Sequence, residues 1–113
     1  MPHCIIEYSQ ELKNKVIPKQ LMGSVFAGAF NSKLFEADDI KTRIIPFQHY
    51  LSGGHKQNFV HVTLKILSGR NLEQRKALSN SVLAELNKII STSVSLTVEV
   101  IEIEKESYSK VVK

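Results

Sequence analysis

The sequence predicts an α+β fold: two β-α-β units building one four-stranded sheet, with both helices on one face. Three observations predict it. Strand-like and helix-like segments follow one another in the order β-α-β twice over. His3-Cys4-Ile5-Ile6-Glu7 can be laid over His61-Val62-Thr63-Leu64-Lys65, each followed by a loop and a helix. Each helix-like segment carries a single apolar stripe, as a helix packed on one side of a sheet requires.

The elements come out in order. His3 to Glu7 reads as a short strand and Pro18 to Phe30 as a helix. Pro18 suits a first helical turn, where its missing N–H would have had no partner, and Leu21, Val25, Phe26 and Ala29 fall on one face of that helix. Ile40 to Phe47 is strand-like, with Pro46 placing it at a sheet edge or ending it. Ser52-Gly53-Gly54 marks a turn. Phe59 to Ile66 is rich in β-formers. Asn71 with Gln74 three residues on forms a capping box, opening a helix striped by Leu78, Val82, Leu86, Ile89 and Ile90. Leu96, Val98 and Val100 alternate with polar residues. The apolar phase then slips to Ile101 and Ile103, which predicts a bulge or a change of partner. Residues 1–113 form one domain, with repeat halves of about 1–50 and 58–113, and Pro2 corresponds to Val60 in the second half. A sheet covered on one side leaves the other open, and apolar residues at both phases (Ile44 beside Ile45) predict self-association over it.

Composition excludes several functions. The chain has 42% hydrophobic and 23% charged residues and a net charge of +4, with the cations scattered among acids rather than massed in a block. RNA-binding sheets of this topology present several aromatics on central strands, whereas Phe59 is alone in its strand, so nucleic acid is not expected as a partner. No window is long and apolar enough for a bilayer and no signal-like segment opens the chain, so the expectation is a soluble cytoplasmic protein without a membrane partner. The single Cys4 cannot form an internal bridge and reads as a small buried apolar residue. His49 and His55 lack ligand spacing, and neither a metal nor a cofactor is expected. Glu99, Glu102 and Glu104 read as solvated.

The residues that could carry chemistry are few. If Met1 is trimmed, Pro2 becomes a secondary amine on a rigid ring, with an α-amino pKa of roughly 7.7–8.0, closer to neutral than any lysine. Position alone favours the plain reading, in which a proline after methionine signals only that the methionine is removed. Lys41 and Arg43, two apart on a strand, leave the sheet on one face, where an ordinary exposed strand face explains them as well. Arg70 directly precedes the N-cap Asn71, where helix N–H groups and a guanidinium could together seat a carboxylate; a surface arginine near a helix start is an equal alternative. His3 and His61 occupy matching repeat positions and read as structural, facing the same environment in each half.

Met1-Pro2-His3, Phe59-Val60-His61-Val62-Thr63-Leu64-Lys65-Ile66 and Gly69-Arg70-Asn71-Leu72-Glu73 with Arg75 together resemble the 5-carboxymethyl-2-hydroxymuconate isomerase family of the tautomerase superfamily. The likeness runs over nearly the whole chain, with a shorter loop near Ser52 to Gln57. It implies a tautomerase-like homotrimer with active sites near subunit boundaries. It also implies proton transfer in homoprotocatechuate breakdown, from dienol to conjugated ketone, on a small anionic substrate: an unsaturated di- or tricarboxylic 2-hydroxy acid. By the same likeness Pro2 is the base, Arg70 and Arg43 are catalytic cations, and Lys41, Arg43 and Arg70 bind substrate. The family pattern Ile-Arg-x-Arg appears as Ile40-Lys41-Thr42-Arg43, and a lysine keeps the charge but loses the bidentate fork. Two other readings follow from these residues: a tautomerase acting on another 2-keto acid such as phenylpyruvate, and an inactive trimeric homologue.

Overall fold

The computed structural model describes all residues, Met1–Lys113. Strands β1 (His3–Ser9), β2 (Lys41–Phe47), β3 (Phe59–Leu67) and β4 (Ser95–Ile103) form one mixed sheet in the order β2-β1-β3-β4. β1 and β2 are parallel, β3 and β4 are parallel, and the two pairs meet antiparallel at β1–β3. Helices α1 (Pro18–Asn31) and α2 (Leu72–Ile89) cross back between the strands of each pair. The α+β architecture is the one the sequence predicts, and β2 is an edge strand, which is where Pro46 can lack an N–H without leaving a gap in the ladder.

Period-2 patterning decides which face is covered. Cys4, Ile6, Val60, Val62, Leu64 and Ile66 point to one side and are fully buried against Leu21, Val25, Leu78, Val82 and Leu86 of the helices. The α2 start is held as its sequence predicts: the Gln74 N–H donates to Asn71 Oδ1 at 2.8 Å and the Asn71 N–H donates to Gln74 Oε1 at 3.0 Å. Pro18 occupies the first turn of α1.

The helices come into close contact at Gly28. A Cβ there would lie 2.5 Å from Val82 Cα, and Ser81 Oγ donates to the Gly28 carbonyl at 2.8 Å. The backbone of α2 cannot rotate away as a side chain could. Gly28→Ala is therefore expected to destabilise the fold by about 2 kcal/mol despite its gain in helix propensity, read as a fall in thermal midpoint.

The other face carries His3, Ile5, Arg43, Ile45, His61, Thr63, Glu99, Ile101 and Ile103, and no helix covers it; Tyr108 of the C-terminal segment meets it only at His3. This face corrects two expectations. The register of β3 with β4 runs unbroken from Phe59↔Ser95 to Leu67↔Ile103, so there is no bulge or change of partner at Ile101. The apolar phase slips because Ile101 and Ile103 project onto the uncovered face, beside Lys65 and Leu67. His3 and His61 do share that face, but their surroundings differ in charge. His3 meets Arg43, whereas His61 bonds Glu99 and Thr97, so Glu99 is engaged rather than merely solvated.

Candidate active site

Pro2 enters the sheet on the covered side, fully buried, with its carbonyl accepting the Lys41 N–H at 3.1 Å. Its repeat counterpart Val60 is buried in the same way. With Met1 attached, the Pro2 nitrogen is an amide, and the free amine of the chain belongs to Met1. Met1 lines a cleft of about 430 Å³. The Met1 amine is held below the ordinary α-amino range. Burial is the largest cause, Asp39 opposes it, and Lys41, Lys110 and Arg70 add to it. A site that disfavours ammonium at this position favours a neutral, basic amine.

Arg70 reaches the same cleft from the β3–α2 connection, where Gly69 turns the chain at φ 126°. Asn71 and Gln74 cap the α2 start between themselves, and the Arg70 guanidinium makes no hydrogen bond there. It crosses instead to the α1–β2 connection. One N–H donates to the Leu34 carbonyl at 2.8 Å, and the guanidinium carbon stands 5.3 Å from the Phe35 ring centre. A guanidinium has five N–H donors, so four remain for an anion.

Lys41 and Arg43 do leave the sheet on one face, and both lie outside the cleft lining. Lys41 is close enough to act electrostatically on the terminal amine. Arg43 turns to His3, donating to Nδ1 at 3.1 Å. His3 is in turn held below its ordinary pKa by burial first and then by Arg43, Lys41, the terminal amine and Lys65, so it is neutral at neutral pH. Burial pushes the Cys4 thiol up to about 11, against smaller opposing pulls from Arg43 and the terminal amine; this matches an inert core residue rather than a nucleophile. No three His, Cys, Asp or Glu side chains gather as metal ligands.

Phe35, Asp39, Tyr108 and Lys110 are among the cleft residues that the sequence did not single out. Tyr108 and Lys110 follow a short 3-10 segment, Lys105–Ser107, beyond β4, and reach Met1, the first residue of β1 and the α1–β2 connection. Lys110 meets Asp39 at 3.4 Å, and Tyr108 Oη lies 3.0 Å from His3 Nε2 and 2.8 Å from Met1 Sδ. Pairing across more than a hundred residues leaves no periodic trace in a sequence.

The family model described as 5-carboxymethyl-2-hydroxymuconate isomerase matches residues 2–111. Among solved structures, a 5-carboxymethyl-2-hydroxymuconate delta-isomerase superposes with a TM-score of 0.86 at 16% identity, covering 100% of this chain and 89% of its own. A 5-carboxymethyl-2-hydroxymuconate isomerase from Deinococcus radiodurans R1 gives 0.81 at 23% identity, covering 97% and 88%. A fused 4-OT described as a symmetric trimer gives 0.74 at 13% identity, covering 96% and 90%. At these identities the structures share the fold, and the match in sequence is the family's. No curated protein matches the chain.

Proposed function

The chain belongs to the 5-carboxymethyl-2-hydroxymuconate isomerase family, and on that premise we propose that it moves a proton within an unsaturated 2-hydroxy di- or tricarboxylic acid, with the Pro2 amine as general base. The chain is a tautomerase-type isomerase by family; the base and the substrate are our reading. One observation carries it. Met1, whose removal would free the Pro2 amine, and Arg70 line a single cleft, and burial there, with Lys41, Lys110 and Arg70 adding, disfavours a charged terminal amine.

The chemistry balances within the substrate. With Met1 removed, the Pro2 nitrogen takes the proton of the 2-hydroxyl as the carbon–oxygen bond becomes a carbonyl, and the electrons shift along the diene. The resulting ammonium returns the proton to the far carbon of the diene, leaving the conjugated ketone. Between the two steps the charge resides on a dienolate, which cations must hold. Arg70 suits a carboxylate through paired N–H groups, and Lys41 adds charge near the amine without a fork. No cofactor enters this balance.

Homotrimeric assembly belongs to the same proposal. The uncovered sheet face carries Ile45 and Ile101 at 45% and 40% exposure, and a second chain laid on it would shield both. It would also bring a neighbour's residues toward Arg43, which this chain alone leaves outside the cleft. A cytoplasmic setting and a place in homoprotocatechuate catabolism complete the reading. No helix is long and apolar enough to cross a membrane.

The test compares substrates. Processed protein is expected to convert 2-hydroxymuconate-type dienols, followed by their ultraviolet absorbance, with a higher kcat/KM than the enol of phenylpyruvate. The reverse order would favour a monoacid tautomerase, and no turnover of either would favour an inactive homologue.

A further inference from the structure

The geometry points to Tyr108 as a further catalytic residue, a hydroxyl donor to the substrate oxygen, oriented by His3 and Arg43. This rests on the proton-transfer reading above.

The direction of the chain Arg43–His3–Tyr108 is fixed by donor inventory. Arginine has only N–H donors, so His3 Nδ1, 3.1 Å from Arg43 Nη1, must accept. A neutral imidazole accepting at Nδ1 carries its proton on Nε2. That N–H therefore donates to Tyr108 Oη, 3.0 Å away. With its oxygen accepting from His3, the Tyr108 hydroxyl has its own proton to direct elsewhere, and here it donates to Met1 Sδ at 2.8 Å. Burial and the neighbouring Arg43 and Lys41 cations keep His3 neutral, which preserves this tautomer.

Met1 is the residue whose loss frees the Pro2 amine. The same cleavage removes the sulfur that Tyr108 now faces, so the hydroxyl proton is left directed into the cleft that Arg70 lines. One processing event then uncovers base and donor together. A donor there stabilises the charge that develops on the substrate oxygen as its proton leaves, and charge polarised from Arg43 through His3 strengthens that donation. His3 and Arg43 are positioning residues in this scheme. They act on Tyr108, and Arg43 thereby gains a path to the cleft from the sheet face.

The experiment uses full-length protein with Met1 removed, verified by intact mass, on a 2-hydroxymuconate-type dienol. Tyr108→Phe removes one oxygen and is expected to lower kcat by about 10- to 100-fold, with KM within about threefold. His3→Leu removes the orienting hydrogen bond but keeps the Tyr108 hydroxyl, and is expected to lower kcat less. Because both act through one hydroxyl, the double variant should be no slower than Tyr108→Phe alone. A Tyr108→Phe enzyme within twofold of the parent kcat overturns the assignment, as do single effects that simply multiply. If the parent turns over the dienol and Pro2→Ala lowers that turnover by about 100-fold or more while Tyr108→Phe does not change it, only this inference fails. An inactive parent overturns the proton-transfer reading and this one with it.

Discussion

Replacing Pro2 by alanine is expected to lower kcat by about 100-fold or more with little change in KM, because what is lost is a positioned base rather than a binding contact. Alanine still permits removal of Met1 and still leaves an amine. It lacks the rigid ring that makes the Pro2 nitrogen a secondary amine. A chemically blocked Pro2 amine should lose turnover altogether. The pH dependence follows from the local field. The terminal amine is disfavoured as ammonium mainly by burial, with Lys41, Lys110 and Arg70 adding and Asp39 opposing. The expectation is that the Pro2 amine freed by removal of Met1 meets the same burial and cations, which disfavour its ammonium in the same direction. A base must be neutral to act, and a lowered pKa makes it neutral at lower pH. The parent kcat/KM is therefore expected to rise with pH and level off through an apparent pKa below the ordinary range of roughly 7.7–8.0. Blocked protein should show no such limb.

Arg70→Ala is expected to cost about 10²- to 10³-fold in kcat/KM, corresponding to roughly 3–4 kcal/mol of lost stabilisation of an anionic substrate and its dienolate. The guanidinium is held in place by Leu34 and Phe35, so its free N–H groups are presented without further ordering. Arg70→Lys keeps the charge and should recover only part of the loss, since an ammonium cannot grip two carboxylate oxygens at once. If the arginine served only to tie the β3–α2 connection to the α1–β2 connection, thermal stability would fall while kcat/KM of the folded fraction stayed near the parent value. Measuring both quantities on Arg70→Ala and Arg70→Lys separates these roles.

The fold was legible in the sequence because its determinants are local. Alternation in Val60, Val62, Leu64 and Ile66, the stripe of Leu78, Val82 and Leu86, and the Asn71–Gln74 box each lie within one element and specify it. Where the sequence misled, the cause was non-local. Ile101 and Ile103 suggested a broken register, but an apolar residue reports only that some surface is apolar. Here that surface is the uncovered sheet face, not the core. His3 and His61 matched as a repeat, yet their cross-strand neighbours, Arg43 and Glu99, differ in sign. The candidate site divided along the same line. The place of Arg70 before a helix suggested a carboxylate seat at the helix start, with a plain surface arginine as an equal alternative, and its guanidinium instead bonds the Leu34 carbonyl. Phe35, Asp39, Tyr108 and Lys110 reach the cleft through connections and the returning C-terminal segment, and such contacts have no period to read.

The central claim is that Pro2 acts as a base only as a free amine. The most direct measurement prepares the protein in two forms, with Met1 retained and with Met1 removed, each established by intact mass. Both are then followed by ultraviolet absorbance on a 2-hydroxymuconate-type dienol. Turnover confined to the form that begins at Pro2 is the predicted result; equal turnover by the two forms would contradict it.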